Sequence, residues 1–375
     1  MTAPRFIQFH TLVSYSAALL NRDDSGFAKR LPFGGAIRTR ISSQCLKRHW
    51  RKAEDEWALA NIGPEMAVRS RKIPEERILP ALEAASVGTS ETRKAAIDAI
   101  TVALYSKSAV KDPSSRQALL IGEAEIAYLT EKAKAAAAEA DSKAATTAIE
   151  TLFKKEEKAN LSAILATKGV LHAGLEAALF GRMVTSDPDA NTDAAIHVAH
   201  AFTVHAEEAE TDYFTVVDDL ETGAGAGGIF DTEITAGLFY LYIVIDVPCL
   251  VANLGGDAAL AGKVVEHLTH LIATVSPGAK KGSTAPYAYA DLVFVETGNR
   301  QPRSLANAFR DAGKASVGDA TKRLAEHLAR LDAMYGAKET RRLAALEPNA
   351  ELTGTAARLN LDELAQALAA EVEGA

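Results

Sequence analysis

The sequence predicts an α+β fold, and three observations predict it. Runs dense in aromatic and β-branched residues lie near the start of the chain and again in its second half. Between them, from about Glu65 to Phe180, the composition shifts to Ala, Lys and Glu, which favour helix. Outside that tract the elements read strand–helix–strand(s)–helix–strand, the order of a ferredoxin-like unit. With 375 residues, the chain is long enough for two domains or for one domain with a large insertion.

Each element has its own warrant. FIQFHTLVSY (Phe6–Tyr15) reads as a strand and ends in the turn-rich NRDDSG. FGG leads into IRTRIS, where Arg38 and Arg40 alternate with Ile37, Thr39 and Ile41. Ser42 or Ser43 is a plausible N-cap for a helix running through QCLKRHWRKAEDEWALANI until Gly63-Pro64 breaks it. On that helix Leu46, Trp50, Ala53 and Trp57 form one stripe, with Lys47, Arg48, Arg51 and Lys52 on the other side. ETRKAAIDAITVALYSK and the Ala-rich TEKAKAAAAEADSKAATTAIETLFKKEEKANLSAIL read as helices of an insertion, the second as an exposed one. GLFYLYIVIDV (Gly237–Val247) is apolar enough for a strand buried on both faces. Asp257–Val275 reads as an amphipathic helix, Ala290–Glu296 as a strand, and Ser304–Lys314 and Thr321–Gly336 as closing helices. With the insertion set aside, the fold is ferredoxin-like, or RRM-like.

Charge points toward a partner. The chain carries a formal net charge of -8, yet residues 1–52 hold ten Lys or Arg against two Asp. That asymmetry suggests an anion at the N-terminal region, and nucleic acid is the commonest large one. No apolar run has the length of a membrane span, MTAPRFIQFH lacks a secretory h-region, and Cys45 and Cys249 are the only cysteines. A cytoplasmic protein with no membrane partner, no metal and no cofactor is expected.

The predicted start of the basic helix offers free backbone N–H groups beside Ser42, Ser43 and Gln44, and Gly34-Gly35 would let backbone approach a phosphate. A solvated basic face is the competing reading. ETGAGAGG matches G-x-G-x-x-G at Gly223, Gly225 and Gly228, but acidic sequence precedes it, so a loop or hairpin tip fits better than a dinucleotide site. SPGAKKGST is no phosphate-binding P-loop, but its Lys280 and Lys281 could touch a backbone phosphate. His197/His200 and His267/His270 have helical i, i+3 spacing without a third ligand, and packing roles are favoured. The pairs Asp23–Asp24 and Asp218–Asp219 could hold magnesium only with special turn geometry. Met183 and Phe214 could pack in a core, or could stack on a base beside a basic groove.

NRDD, FGG-x-x-R-x-RISSQ-x-LKR, GRM-x-TS, FT-x-VDDL, PGAK and LANAF occur in this order from Asn21 to Phe309. The pattern resembles the backbone subunit (CasC family) of Cascade, the RNA-guided surveillance complex of type I-E CRISPR systems. It spans nearly the whole chain and is weakest in the helical insertion. The resemblance implies a hand: a palm in residues 1–60 and 236–375 joined through 183–204, helical fingers in 61–182, and a thumb hairpin in 205–235. It implies a non-catalytic protein whose copies stack head to tail along crRNA and kink it at intervals. Target DNA then pairs with the segments between kinks, and large, small, 5′-end-capping and crRNA-processing subunits complete the assembly. Carried onto matching positions, Arg22, Lys29, Ser42, Gln44, Lys47, Arg48 and Arg51 would hold the guide backbone. Met183, Phe214 and Thr215 would pack around a displaced nucleotide, and Lys280 and Lys281 would lie near the RNA. Related subunits of another CRISPR type cleave target RNA with a metal-dependent acid, for which Asp23 or Asp24 would be the candidate here.

Overall fold

In the computed structural model, residues 3–153, 170–184, 188–217, 226–348, 350, 352 and 356–374 are described. The chain forms two compact units, one of Met1–Asn61, Ile196–Val247 and Ala258–Ala375, the other of Ile62–Ala195 and Pro248–Asp257. It opens with β1 (Phe6–Ala18), the hairpin β2 (Arg30–Phe33) and β3 (Ala36–Ile41), and helix α1 (Ser43–Arg51). The second unit contributes strands β4 (Ala67–Ser70) and β5 (Leu119–Gly122). Its helices are α2 (Leu79–Ala84), α3 (Ser90–Leu104), α4 (Glu123–Ala137), α5 (Ser142–Leu152) and α6 (Leu175–Phe180). Strands β6 (Ile196–Val198), β7 (Ala201–Thr203), β8 (Ala209–Val217) and β9 (Ala226–Asp246) follow. After them come α7 (Val247–Asn253), α8 (Ala258–Thr274), α9 (Lys281–Thr284), β10 (Leu292–Gly298) and α10 (Val317–Tyr335). The chain closes with β11 (Thr340–Ala345), β12 (Ala357–Arg358) and α11 (Leu361–Glu373).

The first unit is built on one sheet of order β12-β11-β10-β1-β9-β7-β3-β2, in which β6 and β8 also pair with β9. Strand β9 lies between β1 and β7, and β1 lies between β9 and β10, with antiparallel pairing at each step. The expected α+β class is met by a large, mostly antiparallel sheet with helices returning between its strands. The register puts Phe9 opposite Ile243 and Val295, and Leu12 opposite Tyr240 and Leu292. Side chains alternate along a strand, so these rows line opposite faces. Leu12, Tyr240, Leu292 and Phe294 pack with Phe309, Leu324 and Leu328. Farther along the same face the sheet turns polar. Glu296 there receives bidentate hydrogen bonds from Arg303 at 2.7 and 3.1 Å and one from Arg341 at 3.0 Å. Burial pushes the Glu296 carboxyl up, but the side-chain interactions and charges of His10 and Arg303 together outweigh it and hold the group down at about 2.

Several elements differ from expectation. Helix α1 stops at Arg51 instead of continuing to Ile62, because Asp55 turns the chain: its carboxylate accepts from Trp57 N–H at 3.1 Å and its carbonyl from Ala58 N–H at 3.1 Å. Trp57 is therefore not on the α1 stripe. It stacks on His270, with ring centroids 3.6 Å apart and planes 4° apart. Ser304–Lys314 holds only a short 3₁₀ turn, Ala306–Phe309. His197 and His200 do not share a helix, since His197 sits in β6 and His200 in the turn before β7. In the second unit the Ala-rich tract is not one exposed helix. Asp141 caps a new helix by accepting from Lys143 and Ala144 N–H, and Ala133, Ala136, Ala137 and Ala145 are buried. Small side chains let α3, α4 and α5 pack closely, with the ribbon β4–β5 beside them.

Candidate nucleic-acid interface

The beginning of α1 is assembled by one asparagine. Asn21 accepts from Ser42 N–H at its side chain (2.9 Å) and from Lys29 N–H at its backbone (2.9 Å). The Lys29 carbonyl in turn accepts from Arg40 N–H at 2.7 Å. Ser42 caps the helix, its hydroxyl accepting from Cys45 N–H at 3.3 Å. Arg22, Lys29, Ser42 and Gln44 thus gather about the N-terminus of α1, whose partial positive charge adds to that of the two cations, while Arg48 lies in the last turn of the helix. Gln44 and Arg48 are exposed, while Lys47 and Arg51 are half-buried. Burial lowers the Lys47 pKa. Leu46 and Trp50 anchor the opposite side of the helix in the core.

A second basic segment is fastened to the first. His49 Nδ1 bonds the Cys45 carbonyl at 2.8 Å, and its Nε2 accepts from Gly278 N–H at 3.3 Å. The Leu19 carbonyl holds Ala279 N–H at 2.8 Å. Burial, helped by Lys281 and Arg48, lowers the His49 pKa, which suits the accepting nitrogen. Residues 278–281 are thereby clipped beside α1.

Lys280 extends this surface to the β8–β9 hairpin, where its ammonium donates to the Thr232 hydroxyl and lies 5.8 Å from the Phe214 ring centroid. Phe214 faces Phe230 across the ladder, and the two rings stack at 5.5 Å. Phe214 remains 41% exposed and Phe230 49%, so neither is a core residue. Thr215 pairs with Ile229 and occupies the other face of the hairpin. At the hairpin base, Glu233 accepts from Ala28 N–H at 2.5 Å and pairs with Arg30, which also pairs with Glu207. Adjacent residues Thr232 and Glu233 are gripped on opposite faces, and the hairpin beyond them carries exposed residues 211–215.

Met183 belongs to the second unit, and the GRM sequence explains its display. Gly181 has φ +75, and a Cβ there would lie 2.9 Å from the Thr192 carbonyl oxygen. Arg182 is buried and ion-paired to Glu125 at 2.6 Å. Val184 is buried too, leaving Met183 between them 68% exposed.

Other basic or acidic residues have structural employment. Arg38 is fully buried and donates to the carbonyls of Thr203 (2.9 Å) and Phe309 (3.0 Å), so its charge is unavailable to a ligand. The expected phosphate approach at Gly34 is corrected as well. A Cβ at Gly34 would meet the Arg310 carbonyl oxygen at 1.4 Å, so its close neighbour is protein backbone. Asp23 Oδ1 accepts from Ser25 and Phe27 N–H, each at 3.0 Å. His267 bonds the Trp57 carbonyl at 2.9 Å, a packing role like that of His270. Among the described residues no cluster of three or more His, Cys, Asp or Glu is placed to hold a metal. The Asp218–Asp219 pair and the Gly223 and Gly225 positions lie outside the described residues. Phe230, Thr232 and Glu233 were missed in the sequence.

The class defined by these features is a mixed α+β protein with a basic helix end joined to an exposed aromatic hairpin. The family model described as CT1975-like protein matches residues 7–370, and the chain belongs to that family. Its structure is similar to a chain described as "CRISPR RNA-guided surveillance complex, pre-nicking", with TM-score 0.78 and 26% identity over 98% of this chain and 100% of that one. A chain of a second "CRISPR RNA-guided surveillance complex" shares the fold, with TM-score 0.60 and 23% identity over 97% and 98% of the two chains. No curated protein sequence matches. No described helix is long and apolar enough to cross a membrane.

Proposed function

We propose that this chain is the guide-RNA-binding backbone subunit of a CRISPR surveillance complex of the type I-E kind. The observation that carries the reading is the end-to-end similarity, at 26% identity, to a chain described as a CRISPR RNA-guided surveillance complex. The surface fits it: Arg22, Lys29 and Gln44 at the N-terminus of α1, with exposed Arg48 farther along the helix, suit phosphates of any sequence, and Phe214 suits an unstacked base. Copies add along crRNA in an open, head-to-tail manner, because a one-dimensional ligand is covered by repeated translation and rotation. Each hairpin acts as a thumb that kinks the guide, Met183 packs at the displaced nucleotide, and target DNA pairs with the intervening segments. Within the cytoplasm the remaining surveillance subunits complete the complex.

The role is that of a scaffold, without catalysis. Asp23 spends a carboxylate oxygen on two backbone amides of its own turn, which favours a structural use over metal binding. The test is purification of the native protein followed by sequencing of co-purifying RNA, which is expected to be spacer-containing crRNA. Incubation of the assembly with complementary RNA and magnesium is expected to leave that RNA intact. Absence of RNA from the native protein, or persistence of a closed two-fold dimer when guide is supplied, would refute the reading.

A further inference from the structure

Beyond the basic segment at 278–281, the chain passes through Pro286 to β10 and shows two tyrosines to solvent. Tyr287 is 71% exposed and Tyr289 is 74% exposed. Their backbone is nevertheless pinned. Pro286 is buried, the Ser276 hydroxyl both receives a bond from Ala288 N–H and donates to the Ala288 carbonyl at 2.9 Å, and Ala290 N–H bonds the Ala273 carbonyl at 2.7 Å. Even-numbered positions hold the segment down while Tyr287 and Tyr289 stand out. A left-handed residue, Ala285 at φ +40, turns the chain into this stretch.

The electrostatic setting selects the occupant. Residues 276–290 contain two lysines and no carboxylate. Lys281 Nζ lies 5.9 Å from the Tyr287 ring centroid, and the same segment is clipped through Gly278 to His49 on α1. A cation beside an open ring on a fixed backbone is suited to a phosphate followed by its base. Pinned backbone also means that little loop entropy is lost on binding.

We infer that Tyr287 and Tyr289 form a second stacking site for nucleobases of single-stranded RNA, separate from the β8–β9 hairpin, with Lys281 contacting the adjoining phosphate. The inference rests on the proposed guide-binding role and adds to it a place where bases are held by ring faces.

The test uses the full chain and a fluorescein-labelled single-stranded RNA of mixed sequence. Joint substitution Tyr287→Ala and Tyr289→Ala is expected to weaken binding roughly 5- to 150-fold per lost base stack, with an unchanged salt slope because no phosphate contact is removed. Tyr287→Phe with Tyr289→Phe is expected to bind like wild type, and both variants to keep the wild-type melting midpoint. RNA carrying 4-thiouridine is expected to crosslink to the peptide holding these tyrosines. Wild-type affinity in the double alanine variant, alongside weakened binding when the charges of Lys47, Arg48 and Arg51 are removed, overturns this inference and leaves guide binding standing. Wild-type affinity in both variants overturns both. Loss of self-association with RNA affinity intact assigns the tyrosines to a protein contact and overturns the stacking site.

Discussion

Phe214 shows how a single residue's setting distinguishes a functional ring from a packed one. Its ring is 41% exposed, rests on Phe230 at 5.5 Å and has Lys280 over it at 5.8 Å. Truncating a buried aromatic costs about 3–5 kcal/mol of stability, as expected for Trp50→Ala in the core. Phe214→Ala leaves the core untouched, so the melting midpoint of the RNA-free subunit should change little. Guide binding should instead lose about 1–3 kcal/mol of stacking per copy, read by RNA affinity of the folded protein. A large fall in melting midpoint with unchanged affinity would assign the ring to the fold. The exposure of Phe214 was legible, because acidic HAEEAETDY on one side and Gly-rich sequence on the other offer no core to enter. The fate of Arg38 was not. It alternates in sequence like Arg40, but its carbonyl partners at Thr203 and Phe309 come from distant chain segments.

At the scale of the element, α1 is a short basic helix whose position is set from outside itself. Asn21 orients its start, Trp50 buries its inner side, and His49 fastens the 278–281 segment to it. Neutralising Lys47, Arg48 and Arg51 together should weaken binding about equally for unrelated spacers and flatten its salt dependence. At roughly 0.7 per single-strand phosphate contact, the log–log slope should fall by about 2 if all three engage. A slope equal to wild type on two unrelated RNAs would show that these cations face elsewhere. The start of α1 was readable from Ser42 and the apolar spacing Leu46–Trp50. Its end was not, because a side-chain turn at Asp55 overrides a sequence that keeps helical periodicity as far as Trp57. The Ala-rich tract misled for a related reason: alanine reads as exposed helix, yet Ala133 and Ala137 are where neighbouring helices meet.

Across the whole molecule, the α+β class was legible because β1, β9 and β10 carry strong apolar runs and β9 and β10 are joined by a clear amphipathic helix. Strand β11 was not. Its sequence TRRLAA contains Arg341, buried only because Glu296 and Asp332 neutralise it, a pairing that has no periodic signature. The same buried polar chemistry spreads through the fold and fixes its response to acid. His10, His49, His200, His270 and His327 all have pKa values lowered from 6.5, with burial the largest cause in each. In the unfolded chain these groups regain ordinary values and bind protons more readily. The unfolded state therefore holds more protons below about 6.5, and stability rises with pH through that region. The histidine contribution is complete above the ordinary value and is lost as pH falls through the lower folded values. Glu296, held at about 2 against an ordinary 4.5, acts in a separate window: its contribution is present above 4.5 and disappears toward 2. The melting midpoint of the RNA-free protein should thus fall when pH is brought from above 6.5 to below it, before any carboxylate contribution is lost. His49→Gln should reduce this dependence, since it removes one of the groups held neutral. Bound RNA should oppose the fall as well, because a polyanion beside His49 offsets Lys281 and Arg48 and favours its protonated form. A midpoint in RNA-free protein that is flat or increases as pH drops through 6.5 would show that these histidines are not held neutral by the fold.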